Sequence, residues 1–107
     1  MAEPMLAHNV FFALHDASEA AQVKLVQACK KHLTNHAGAV FFACGTRATA
    51  LDRPVNDLEF DVALHIVFQT KGDQDAYQVA PRHHEFVAAN KDNWKHVRVF
   101  DSLVETI

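Results

Sequence analysis

Residues 58–69 alternate so regularly that they leave little choice of fold. Phe60, Val62, Leu64, Ile66 and Phe68 fall on one side of an extended chain, and Asp61, Ala63, His65 and Val67 on the other. Only a strand turns that period of two into two coherent faces. A strand needs neighbours for its backbone groups, and the rest of the chain supplies them. In residues 5–14, Leu6, His8, Val10, Phe12 and Leu14 line one side, and Met5, Ala7, Asn9, Phe11 and Ala13 the other. Residues 39–46 and 95–104 read as two more strands. In the last, Val97, Val99 and Leu103 alternate with Arg98, Phe100 and Ser102.

Helical patterns fill the gaps. Asp16 followed by Glu19 has the form of a capping box. Ala21, Leu25, Cys29 and His32 then recur at helical spacing, widened by Val26 and Leu33 into a core-facing stripe. Lys30, Lys31 and His32 suit the negative end of that helix, and Gly38 is expected to terminate it. Arg47 to Asp57 reads as a polar connection. Asp73 is expected to cap a short helix over 74–79, and Pro81 to open another that runs to about Asn90. The order βαββαβ predicts an α+β, ferredoxin-like domain over residues 5–104, with tails at 1–4 and 105–107. Its four-stranded antiparallel sheet would carry the helices on one face.

Such a sheet leaves its other face bare. That face would carry Phe11, Phe41, Ala43, Ala63, Val67 and Phe100, more apolar area than a monomer leaves in water. A second copy packed sheet to sheet would cover it, so the chain is expected to be a homodimer. Nucleic acid is not an expected partner: ten Lys and Arg stand against thirteen Asp and Glu, with no basic stripe. No apolar run approaches the ~20 residues of a membrane helix. Met1 to Met5 has neither part of a signal peptide, and Cys29 and Cys44 lack CxxC spacing. Free buried thiols in a cytoplasmic protein are therefore expected.

What stands out is the count of eight histidines. With Pro81 as the first helical residue, His83 shares a face with Phe86, Val87 and Asn90 and points inward, while His84 points outward. His8 is the polar member of an otherwise apolar strand face. With Tyr77 these two imidazoles offer a titratable base and a phenolic donor in one apolar enclosure. The alternative is structural: core histidines bonded to a backbone carbonyl or to Tyr77. His32 and His36 would chelate together only if their helix continued, so no metal site is expected. No P-loop, G-x-G-x-x-G or G-x-S-x-G is present, and no cofactor is expected.

Ala7 to Phe12, Phe60 to Leu64, Tyr77 to Phe86 and Trp94 to Asp101 together resemble the Dabb family, the stress-responsive α/β-barrel domains. The family's helix motif is commonly His-Pro-x-His-x-x-Phe. Here Ala80 replaces the first histidine, and Pro81, His83 and Phe86 are kept. The resemblance implies a ferredoxin-like protomer and a sheet-to-sheet dimer. It extends distantly to a cofactor-free plant polyketide cyclase of that family, whose catalytic histidine and tyrosine match His83 and Tyr77, and whose pocket histidine matches His8. By that likeness His83 would be the base, Tyr77 the donor to an enolate, and His8 the residue that orients substrate or shuttles the proton. Leu64, Phe86, Trp94, Val97 and Val99 match its pocket wall. We add Val10 and Phe12 from the face of His8, Leu25 from the helix stripe, and Val62, which stands where that enzyme has a histidine. Three functions stay open: a binder of a small apolar oxygenated molecule, a cofactor-free cyclase or lyase, and a cofactor-free monooxygenase of the same architecture. An open cavity beside His83 and Tyr77 would favour the first two. A space filled by Trp94, Phe86 and Phe12 would favour a purely structural role.

Overall fold

A computed structural model describes residues 3–106. The expected tails fall partly outside them, at Met1, Ala2 and Ile107. Strands β1 (Met5–Leu14), β2 (Ala39–Thr46), β3 (Val62–Phe68) and β4 (Trp94–Val104) form one antiparallel sheet in the order β2-β3-β1-β4. Helices α1 (Glu19–His32), α2 (Lys71–Gln78) and α3 (Pro81–Asn90) connect them, and a single 3₁₀ turn at Lys91–Asn93 leads from α3 into β4. This is the ferredoxin-like layout, with β1 and β3 at the centre of the sheet.

The core lies between sheet and helices, where the alternating strands put it. Every second residue of β1, from Leu6 to Leu14, is buried. Leu64, Ile66 and Phe68 of β3 meet Leu25, Cys29 and Leu33 from the α1 region, with Tyr77 and Phe86 from α2 and α3. Each large aliphatic or aromatic side chain so buried contributes about 1.5–3 kcal/mol. Cys29 and Cys44 are free thiols. Burial pushes the Cys29 thiol up to about 12, with Cys44 adding to the effect, so it packs as a small hydrophobe.

Three boundaries differ from the expectations, each for a local reason. Ser18, not Asp16, caps α1: its hydroxyl accepts from the Ala21 N–H at 3.2 Å. Asp16 is held outside the helix, accepting from the Ser18 N–H and clasped by Asn93. α2 starts earlier than expected because Thr70 is its cap, accepting from the Asp73 N–H at 3.1 Å, and Asp73 lies within the first turn. β3 starts only at Val62. Asp61 ends the irregular segment before it by donating its N–H to the Phe12 carbonyl and accepting the Leu14 N–H on its carboxylate. Phe60 consequently leaves the expected core face and stacks edge-on against Phe11, 5.0 Å between centroids.

Gly38 does not end α1, whose cap is Leu33. It serves the turn into β2, at φ 82, where an added Cβ would collide with the Asp73 side chain.

Candidate functional site

The strand register brings His8 opposite Asp101 of β4. Their side chains meet, His8 Nδ1 to Asp101 Oδ1, at 2.5 Å. A carboxylate only accepts, so Nδ1 carries the proton. His8 is buried, and its Asp101 partner opens to solvent. Sequence periodicity missed Asp101 because it reads faces, while only strand pairing reveals which residue stands opposite.

Tyr77, near the end of α2, is the hub of the aromatic cluster. His83 lies edge-on to it at 4.9 Å, His36 at 4.9 Å and His8 at 5.8 Å. Pro81 starts α3 just beyond, with Ala80 as its cap. His83 therefore turns in beneath the helix, and His84 is exposed. Burial, helped by the neighbouring imidazoles of His84, His8 and His36, holds His83 below the ordinary imidazole range, so it is neutral at pH 7. Burial also holds the Tyr77 phenol well above its ordinary range, so it remains a donor.

His8, Tyr77 and His83 share one cavity of about 180 Å³, walled by Val10, Phe12, Leu64, Phe86, Trp94, Val97 and Val99. Leu33, Gln78 and Val87 also line it and were not anticipated. Phe12, Phe86 and Trp94 stack at one end, with centroids 5.1 to 6.2 Å apart, and close that end without filling the space. The mouth is at β4. Val97 and Val99 face the helix side of the sheet, yet 36% and 49% of their surface stays exposed because no helix covers this edge strand.

Two residues expected in the wall lie elsewhere. Val62 is fully buried on the same helix-side face, paired with Phe12 on β1 and Thr46 on β2, and sits in the core beside the cavity without lining it. Leu25 lines a different, larger cleft of about 400 Å³ between the start of α1 and the end of α3. Trp94 stands between the two spaces and borders both.

His36, His32 and His65 have local partners. His36 bonds the His32 carbonyl at 2.8 Å, and His32 faces Glu85 at 3.8 Å. Among the described residues no group of three or more His, Cys, Asp and Glu has metal-binding geometry. Asn9 is bonded to His65 at 2.7 Å on the opposite sheet face from His8.

That opposite face carries Phe11, Phe41, Ala43, Ala63, Val67 and Phe100, as register dictates. Phe41 and Phe100 are more than half exposed, whereas the small Ala63 is already buried. No helix among the described residues is long and apolar enough to cross a membrane.

Solved structures with this architecture include a Dabb family protein with a ferredoxin-like fold from Mesorhizobium loti. It has a TM-score of 0.79 and 20% identity, with 97% of this chain and 100% of that one covered. A dimeric ferredoxin-like protein of unknown function from Thermobifida fusca aligns at TM-score 0.77 and 16% identity, covering 95% and 92%. A hydroxynitrile lyase from Passiflora edulis aligns at TM-score 0.75 and 15% identity, covering 98% and 97%. At these identities the likeness establishes the fold alone. No curated protein matches the chain. The family model for the stress responsive A/B barrel domain matches residues 6–104, and with nearly the whole chain inside that match, this protein belongs to the Dabb family.

Proposed function

We propose that the chain pairs with a second copy through its open sheet face and holds a small apolar, oxygen-bearing molecule in the cavity between sheet and helices. One observation carries the binding reading: three polar side chains, His8, Tyr77 and His83, converge on a cavity whose other walls are almost all apolar. That is the composition of a small-molecule site, in which few polar groups fix orientation and apolar walls supply affinity. At about 180 Å³ the space falls below the ~300–1,000 Å³ of drug-sized pockets, so its occupant is small. A thermal-shift screen of small ketones, phenols and alcohols tests it. A ligand at a hundredfold its Kd adds about 2.7 kcal/mol of stability. A library that leaves the midpoint unmoved overturns the reading.

The His8–Asp101 pair favours a second reading, catalysis without a cofactor. The Asp101 carboxylate fixes the His8 imidazole beside a separate base, His83, which suits His8 to orient substrate or relay a proton. Neutral His83 would take a proton alpha to a carbonyl, Tyr77 would donate to the enolate oxygen, and His8 would orient the substrate or pass the proton on. Turnover of any ligand found should then fall at least a hundredfold in His83→Ala. Unchanged turnover removes His83 from the mechanism.

Pairing rests on the exposed aromatics of the open face. Sedimentation as a monomer at low micromolar concentration would sink it.

A further inference from the structure

Two buried side-chain nitrogens find no partner in the protein among the described residues: His83 Nδ1 and Trp94 Nε1. Both residues line the same cavity. An unpaired buried polar atom in a folded protein calls for a reason. The proposed ligand chemistry supplies one for His83. For Trp94 it does not, because the roles considered so far ask only for an apolar wall, which phenylalanine would provide without stranding an N–H.

The indole is fixed in place. It leans on Phe12 at 5.1 Å and 45° and on Phe86 at 5.7 Å and 42°. An indole N–H donates and never accepts. No group of the larger cleft on its other side accepts from the indole. Asn93 takes the Asp16 N–H and gives to the Asp16 carbonyl, and Asn90 gives to the Phe86 carbonyl. The cavity wall nearest Trp94, formed by Phe12, Phe86 and Val97, has no side-chain acceptor. A donor held rigid at an apolar wall, with nothing in the protein to receive it, is suited to an acceptor that comes with the ligand.

We infer that Trp94 is a specificity-determining residue whose indole N–H reads an acceptor oxygen on the ligand. Building on the binding reading above, this narrows the ligand class to molecules with a carbonyl or ether oxygen at the Trp94 end. Hydrocarbon isosteres are discriminated against, because they leave the donor buried and unmatched.

Acetophenone and α-methylstyrene test this, since they differ only by a carbonyl oxygen replaced with a methylene group. Their affinities are measured by NMR titration of the wild type and of Trp94→Phe, following the cavity resonances and the indole ¹H–¹⁵N signal. The wild type should prefer the ketone by about tenfold, the ratio a net hydrogen bond of ordinary strength gives. Its indole proton should move downfield with the ketone and not with the hydrocarbon. Trp94→Phe should bind both with nearly equal affinity. Equal binding of the two probes by the wild type, or a preference that survives in Trp94→Phe, overturns the role of Trp94 and leaves the pocket standing. If neither probe perturbs the cavity, the pocket reading fails and this inference with it. Should Trp94→Phe not fold, the indole signal of the wild type decides the matter unaided.

Discussion

An imidazole beneath a sheet needs somewhere to place its N–H, and His8 places it on Asp101. Removing that acceptor strands a buried donor. Asp101→Ala should therefore cost about 1–3 kcal/mol in urea denaturation, toward the lower end because Asp101 meets solvent. Asp101→Asn, which keeps an acceptor oxygen, should recover most of the loss. His83 poses the opposite electrostatic problem. Its folded pKa lies below its unfolded value, so the native state binds fewer protons and stability falls with acidification. The loss begins near the ordinary value of 6.5 and grows as pH drops through the folded pKa. His83→Gln should flatten part of the decline in melting temperature between pH 7 and pH 5, and an unaltered profile would contradict this. His83 was visible in the sequence because helix phasing from Pro81 turns it inward. Asp101 was not visible, since exposed aspartates are common and only pairing with β1 singles this one out.

At the scale of elements, short helices depend on their ends. α2 carries Tyr77 into the site, and Thr70 holds its first turn. Thr70→Ala should cost about 1 kcal/mol, as should Ser18→Ala on α1. The two differ in consequence. The Thr70 change should also weaken ligand binding, measurable by titration, because it loosens the helix that places the phenol. Gly38→Ala should destabilise more than either in thermal unfolding, since it meets both an unfavourable backbone angle and the Asp73 side chain. The faces of the strands were legible in the sequence, because alternation of side chains is local, although burial follows it strictly only along β1 and not along the edge strands β2 and β4. The caps were not, because Asp16 and Ser18, or Thr70 and Asp73, are equally able acceptors by residue type. Asn93 settles the first case by drawing Asp16 away. The same limit explains the misplaced Val62 and Leu25: both lie on faces that point to the core, and depth behind other side chains is not a property of a face.

At the scale of the whole molecule, the shortest dimension is 17 Å, room for one sheet and one layer of helices. Among the described residues nothing on the open face covers Phe41 and Phe100. Phe41→Glu and Phe100→Glu together should yield a folded monomer by sedimentation, with unchanged circular dichroism, because charge on this face opposes pairing and leaves the core intact. The Arg98–Asp57 ion pair ties the long β2–β3 connection to β4 at 2.6 Å and lies on the same face as Phe11, so the connection borders that contact.

Met5 pairs with Val104 where β1 begins and β4 ends. The chain thus enters and leaves the domain at one corner, far along the strands from the β1–β4 end that holds Trp94. Joining those two positions with a short Gly/Ser link, and opening the chain instead between Leu51 and Val55, would give a circularly permuted protein with the same cavity. The stretch to be opened is exposed and has few bonds to lose. The corner is equally a place to attach a reporter domain, because a fusion there leaves the mouth of the cavity clear.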